Sequence, residues 1–217
     1  MIYYLPSCRF TAANPETSAK LKKYLKEEKN ITIAGCCRPT QKLLKEGDLV
    51  LNNCTSCALI TEEASPQADV TSLYEYLLGD ESFPWPDYHG EAITVQDCWR
   101  AREHASEQHA IRECLRRMNM VPVELEENFE KTTFDGLFLL RPIAPGNLQI
   151  APKTYGPMQD IVTPLPPEEQ KARMEEWVKQ YKTDRTVVYC NSCLQGVRLG
   201  GADGVHVLEL MSANLTA

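Results

Sequence analysis

The chain has 217 residues, 43% of them hydrophobic and 24% charged, with 23 basic against 30 acidic side chains and a formal charge of −7. That length suits one substantial domain or two small halves sharing an interface. The acidic balance argues against nucleic acid as the main partner, and no apolar run approaches the ~20 residues that a membrane span requires.

The N-terminal run Met1-Ile2-Tyr3-Tyr4-Leu5-Pro6 lacks the basic start and long apolar core of a signal peptide. Nine cysteines in a chain that reads as cytoplasmic point to metal or redox chemistry rather than to a disulfide scaffold. Ile2 to Leu5 suits a buried strand ending at Pro6-Ser7-Cys8. Asn14-Pro15-Glu16 starts a helix, with Asn14 as cap, Pro15 at the first position, and Leu21, Tyr24 and Leu25 on its inner face. Ile31 to Ala34 is a second strand ending at Cys36-Cys37, and Thr40 to Glu46 is a helical turn closed by Gly47. Asp48 to Leu51 is a third strand ending at Cys54. A helical segment after Cys57 runs through Ile60, and another covers Val70 to Leu78. Alternating strands and helices favour a parallel sheet with right-handed crossovers.

Residues 80–91, with Pro84, Pro86, Asp87 and Gly90, read as a linker between a first cysteine-rich repeat (1–79) and a second (92–217). The second echoes the first. Ala92 to Val95 leads to Asp97-Cys98, a helix runs from about Trp99 to Met118, and Val121 to Leu125 is the next strand. Thr186 to Tyr189 leads into Cys190-Asn191-Ser192-Cys193, as Leu49 to Leu51 leads into Cys54-Thr55-Ser56-Cys57, and Val205 to Leu210 parallels Val70 to Leu78. Where the double cysteine should recur stands Phe134-Asp135-Gly136. The stretch 137–167 carries seven of the 14 prolines and no strong period, so it reads as a proline-rich insertion that is functional or mobile. Pro166-Pro167-Glu168-Glu169 opens a helix through about Tyr181.

The expected fold class is therefore α/β, two pseudo-repeated strand-helix units with parallel sheets and a metal site at the carboxyl ends of the strands, the edge where open α/β sheets bind ligands. Helix starts gather there and favour thiolate over thiol. Adjacent cysteines seldom bond each other, whereas thiolates select zinc, copper(I) or iron–sulfur centres. From the residues alone, Cys8, Cys36, Cys37, Cys54 and Cys57 leave open an iron–sulfur centre, zinc, a redox dithiol, or buried thiols packed as small hydrophobes.

The order Cys8, Cys36-Cys37, Cys54-x-x-Cys57, with a partial second copy, resembles the cysteine-rich CCG domain family, whose best-known members are the B subunits of heterodisulfide reductases. The resemblance covers nearly the whole chain outside the proline-rich insertion. It implies a duplicated α/β fold and a [4Fe-4S] centre, cubane or non-cubane, on Cys8, Cys36, Cys37, Cys54 and Cys57. It also implies electron transfer or disulfide reduction, with a partner flavoprotein or ferredoxin supplying electrons. Cys98, Cys190 and Cys193 fill three positions of the second motif. Arg38 replaces the glycine after the double cysteine, and the gap from Cys37 to Cys54 is shorter than the family's usual spacing. With Phe134 and Asp135 in place of two cysteines, the second motif is degenerate, or binds zinc through three cysteines and an Asp or His. A different reading of the whole is a zinc-stabilised interaction module, and a third is a cluster-free dithiol oxidoreductase.

The remaining residues read more plainly. Cys114 lies on the apolar stripe of its helix and is core. His104 and His109, five apart, do not share a helix face and read as surface residues, although His104 is within reach of the second motif. Asp97 orients that motif or is a solvated strand-end carboxylate. Arg38 offsets thiolate charge, binds an anion, or faces solvent. Trp99 suits core packing. No Gly-x-Gly-x-x-Gly or Walker motif occurs, so the chain itself carries no nucleotide-cofactor signature.

Overall fold

A computed structural model describes residues 1–216. The protein is α/β, with two four-stranded parallel sheets. The first half runs β1 (Ile2–Leu5), α1 (Cys8–Ala13), α2 (Pro15–Glu27), β2 (Thr32–Ile33), α3 (Cys37–Thr40), β3 (Leu49–Asn52), α4 (Thr55–Ala64), β4 (Asp69–Ser72) and α5 (Leu73–Leu78). The second runs β5 (Ala92–Val95), a 3-10 turn (Trp99–Ala101), α6 (Ala105–Arg117) and β6 (Val121–Glu124). After these come α7 (Pro145–Ile150), α8 (Pro152–Met158), α9 (Pro167–Trp177), β7 (Arg185–Val188), α10 (Asn191–Leu199), β8 (Asp203–His206) and α11 (Val207–Met211).

The sheets have the same order, β2-β1-β3-β4 and β6-β5-β7-β8. In the first, Tyr3 pairs with Thr32 on one side and Val50 on the other, and Val50 pairs with Val70. In the second, Val95 pairs with Glu124 and Val187, and Val187 with Val205. The inner strands are apolar on both faces, as a sheet covered by crossover helices demands: Tyr4, Leu5, Val50, Leu51, Ile93, Val95, Val187 and Val188 are all buried. Pro122 is tolerated because β6 is an edge strand.

Two compact units follow from this. The first comprises Met1–Pro84 together with Ile143–Gln159 and the segment from Ser212; the second comprises Trp85–Pro142 and Asp160–Met211. The proline-rich stretch is thus divided between them, and its middle is two short helices, α7 and α8, each opened by a proline at its first turn.

Several local expectations are corrected. Val70 to Leu78 is not one helix: Asp69–Ser72 is β4, because Val70 and Thr71 suit a strand and pair with β3. The helix starts only after it, where Ser72 and Glu75 form a reciprocal capping box, the Ser72 hydroxyl accepting from Glu75 N at 3.2 Å and Glu75 Oε2 accepting from Ser72 N at 3.1 Å. Ser72→Ala is expected to cost about 1 kcal/mol, read as a lowered denaturant midpoint. Asn14 is the N-cap of α2 with Pro15 at its first position, as expected, but makes no side-chain cap hydrogen bond, and the same residue ends an unforeseen α1. The expected helix from Trp99 is broken, a 3-10 turn followed by α6 from Ala105. The helix after Cys57 extends to Ala64, and α3 begins at the double cysteine rather than at Thr40.

Candidate metal centres

Each cysteine of the two motifs sits at or just before the first turn of a helix, past the end of a strand. Cys8 opens α1, three residues beyond Leu5 at the end of β1; Cys98 precedes its 3-10 turn, three residues beyond Val95 at the end of β5. Cys54 caps α4, two residues past Asn52, and Cys190 caps α10, two residues past Val188. Cys57 and Cys193 follow three residues later in the first turns. Cys36 caps α3 and Cys37 is its first residue. Backbone N–H groups at these starts have no intrahelical partner, and their partial positive charge favours anionic sulfur.

In the first unit the thiols form a chain of neighbours. Cys36 lies in electrostatic reach of Cys8 and hydrogen-bonds Cys37; Cys57 hydrogen-bonds both Cys37 and Cys54. The Cys57 thiol beside it holds Cys37 below the usual thiol range, with Arg38 adding to the effect, while Cys57 itself is pushed well up as donor and burial pushes Cys36 up. Of Cys36, Cys37 and Cys57, Cys37 is thus the first to become thiolate. Cys8 is exposed, Cys36 and Cys54 are half-buried, and Cys37 and Cys57 are buried, so the group opens to solvent on one side.

Unpartnered buried polar atoms flank Cys54 along the chain. Asn53 Oδ1 and Nδ2 and Thr55 Oγ1, on either side of Cys54, have no hydrogen-bond partner, nor has the Tyr4 hydroxyl, whose titration burial pushes up. Buried polar groups without partners are rare and call for a reason. Ser7 stands at φ 50 just before Cys8, a costly conformation for a residue other than glycine, with its hydroxyl accepting from Phe10 N at 3.3 Å. Arg38 is exposed, donates to Asn147 Oδ1 at 2.7 Å and lies against Gly146 in α7. Glu63 near the end of α4 accepts from the Lys153 and Thr154 amides at the start of α8, at 2.8 and 2.7 Å. The Ile143–Gln159 segment therefore flanks the Cys-x-x-Cys helix.

In the second unit the arrangement is tighter. Cys98, Cys190, Cys193 and Asp135 are all buried, and one ligand atom from each lies within 4.8 Å of the others; they could hold a metal ion. Among the described residues this is the one group so closed. Asp135 Oδ1 accepts from Cys98 Sγ at 3.1 Å and lies 3.9 Å from Cys193 Sγ. Arg100, which no sequence pattern singled out, grips the same carboxylate with Nε on Oδ2 at 2.7 Å and Nη2 on Oδ1 at 2.8 Å. Its Nη2 also reaches Cys190 Sγ at 3.2 Å, and its guanidinium lies 4.1 Å from the Phe138 ring centre.

Burial pushes the Asp135 carboxyl up to about 6, with Arg100 pulling it back. Hydrogen bonds from Cys193 and Cys98, then the Arg100 charge, hold Cys190 well below the usual thiol range, and burial pushes Cys98 up. Burial pushes Cys193 up as well. His206 is buried and neutral, its pKa driven down to about 3 by burial, and lies outside the closed group.

Of the other residues singled out from sequence, Asp97 is corrected. It is fully buried rather than solvated, held by Arg112 through two hydrogen bonds of 2.7 Å and by Tyr189 Oη at 2.9 Å. Tyr189 Oη also accepts from Cys98 N at 3.2 Å, which ties Asp97 to the end of β5. Cys114 is core. His104 caps α6, and exposed His109 lies 5.3 Å from the Phe129 ring; neither joins the ligand group. Trp99 is half-buried beneath Arg102.

No family model, curated protein or solved structure matches this chain. Among the described residues no helix is long and apolar enough to cross a membrane.

Proposed function

We propose that the protein is an iron–sulfur redox protein akin to heterodisulfide reductase B-type subunits, with Cys8, Cys36, Cys37, Cys54 and Cys57 holding a [4Fe-4S]-type centre. The observation that carries this reading is the chain of five first-unit thiols, gathered at helix starts and open to solvent on one side. Ligands of a single ion crowd around it, whereas a multi-iron centre takes its thiolates on different irons, so a longer string of sulfurs fits it. When bound, such a centre supplies one-electron transfer. The chain's own part is to bind and tune. Unpartnered donors on Tyr4, Asn53 and Thr55 suit sulfur acceptors, and hydrogen bonds to sulfur together with exposure set a cluster's potential.

Arg38 places a positive charge beside Cys37 and is held in place by Asn147. The exposed Cys8 edge leaves access for a small disulfide, which two electrons and two protons convert to two thiols. A partner flavoprotein or ferredoxin would deliver those electrons. Iron, acid-labile sulfide and zinc are to be counted after strictly anaerobic purification, with electron paramagnetic resonance of oxidised and reduced protein. About four irons and four sulfides with a redox-dependent signal are expected. Protein that carries no sulfide when made under these conditions sinks the reading.

A further inference from the structure

We propose that Cys98, Cys190, Cys193 and Asp135 hold a single zinc ion in a closed, structural site, and that Arg100 is the counter-charge built into it. This does not depend on the nature of the first-unit centre. Four ligand atoms within 4.8 Å of one another match one ion. Zn–S bonds of about 2.3 Å in a tetrahedron put neighbouring sulfurs about 3.8 Å apart. Three thiolates and a carboxylate are a ligand set that zinc accepts, and four protein ligands leave no open position for substrate.

Charge and space then assign Arg100 its part. A divalent ion under four anionic ligands leaves a double negative charge, which is expensive in a buried site. The guanidinium removes one of those charges through the carboxylate and Cys190. Hydrogen bonding of a ligating carboxylate by an outer group is also how metal sites fix ligand orientation. The first unit offers a direct contrast. Two residues after Cys8 stands buried Phe10; two residues after Cys98 stands buried Arg100. The charged side chain has entered a position that is apolar in the first unit, in the same unit that has Phe134 and Asp135 where two cysteines were expected. Arg100 packs against Asp135, Cys190 and Phe138 beside the ligands, and the four close ligand atoms match a single ion rather than a larger cluster. The ion would join the end of β5, the segment 134–136 and the start of α10.

The test counts zinc and iron separately in the full-length chain. About one zinc per chain is expected in the wild type, resistant to mild chelation. Cys193→Ser and Asp135→Ala should each lose it while iron and sulfide stay at the wild-type level. Arg100→Met should keep the stoichiometry and weaken zinc binding about 10–100-fold. Cobalt(II) loaded into the wild type in place of zinc should give the intense visible bands of a tetrahedral thiolate complex, a readout that needs no variant to fold. Wild type without zinc overturns the proposal. So does zinc that survives in both variants, a cobalt spectrum of six-coordinate oxygen ligands, or sulfide lost together with Cys193. The iron count at the first unit stands or falls on its own.

Discussion

Arg112→Met is expected to destabilise the protein by about 3–5 kcal/mol, the cost of leaving a buried carboxylate without its cation. The Arg112 side chain is 2% exposed and its partner Asp97 is fully buried. Both Asp97 oxygens are held at 2.7 Å by the two guanidinium nitrogens, and Nη2 also bonds Glu124 at 2.7 Å. Methionine fills much of the volume and supplies none of the charge. Asp97 would keep only neutral donors, the Tyr189 hydroxyl at 2.9 Å and the Phe129 amide at 2.8 Å. Phe129 itself has a φ of 59 and lies beneath the Arg112 guanidinium at 4.0 Å, so the same change removes the group stacked on a strained residue. Against a total stability of roughly 5–15 kcal/mol, a loss of this size is a large fraction. Urea unfolding measures it. The double variant Asp97→Asn/Arg112→Met removes both charges and is expected to be more stable than the single one; a single variant within ~1 kcal/mol of wild type would show that the pair is not what holds this corner.

Gly136→Ala is expected to be nearly as damaging, for steric rather than electrostatic reasons. A Cβ at this position would stand 2.0 Å from Ser192 O, 2.5 Å from its carbonyl carbon and 2.6 Å from Cys193 Cα. All three are backbone atoms, so no side chain can swing aside. The residue also has a φ of 53, where alanine pays a penalty that glycine avoids. Left-handed backbone at about 1–2 kcal/mol and overpacking at about 1–3 kcal/mol together give roughly 2–5 kcal/mol. The alternative to strain is withdrawal of the 134–136 segment from α10, which carries Asp135 away from Cys190 and Cys193. Gly79→Ala is the control: its φ is −80 and the nearest atom to an added Cβ, Tyr76 O, stands at an ordinary 3.5 Å, so no loss of stability is expected. Urea unfolding should therefore find Gly136→Ala roughly 2–5 kcal/mol less stable than the control.

The strands and the cysteine placement were legible because both follow from local pattern. Short apolar runs such as Ile2 to Leu5 and Asp48 to Leu51 end at thiols, and a strand followed by a helix can present those thiols only at one sheet edge. Asp135 was legible as the residue standing where a cysteine was expected. Arg100 was not, since nothing local separates it from the other 22 basic residues. Its signal lay in the repeat, where it answers to Phe10, and an arginine opposite a buried phenylalanine asks for a buried acid. Arg112 and Asp97 were hidden for a similar reason: their pairing joins the inner face of α6 to the end of β5, and a charge on a helix reads as solvated until a partner 15 residues away is placed. The β4 strand was missed although Ser72-Leu73-Tyr74-Glu75 spelled out a helix start, because the apolar periodicity of the helix was extended backwards through Val70. The membership of Ile143–Gln159 in the first unit rests on long-range contacts such as Arg38–Asn147, which no window of sequence contains.

That last segment also fixes an order of events during synthesis. All five first-unit thiols have been made once residue 84 is reached, but the stretch that flanks them begins at residue 143, 143 − 84 = 59 residues later. At about 5–20 residues per second the ribosome takes roughly 3–12 s to cover that distance. Through that interval Arg38 has no Asn147 to bind and the Cys-x-x-Cys helix has no α7 or α8 beside it. The nascent chain thus passes through a stage with its five first-unit thiols complete and one flank bare.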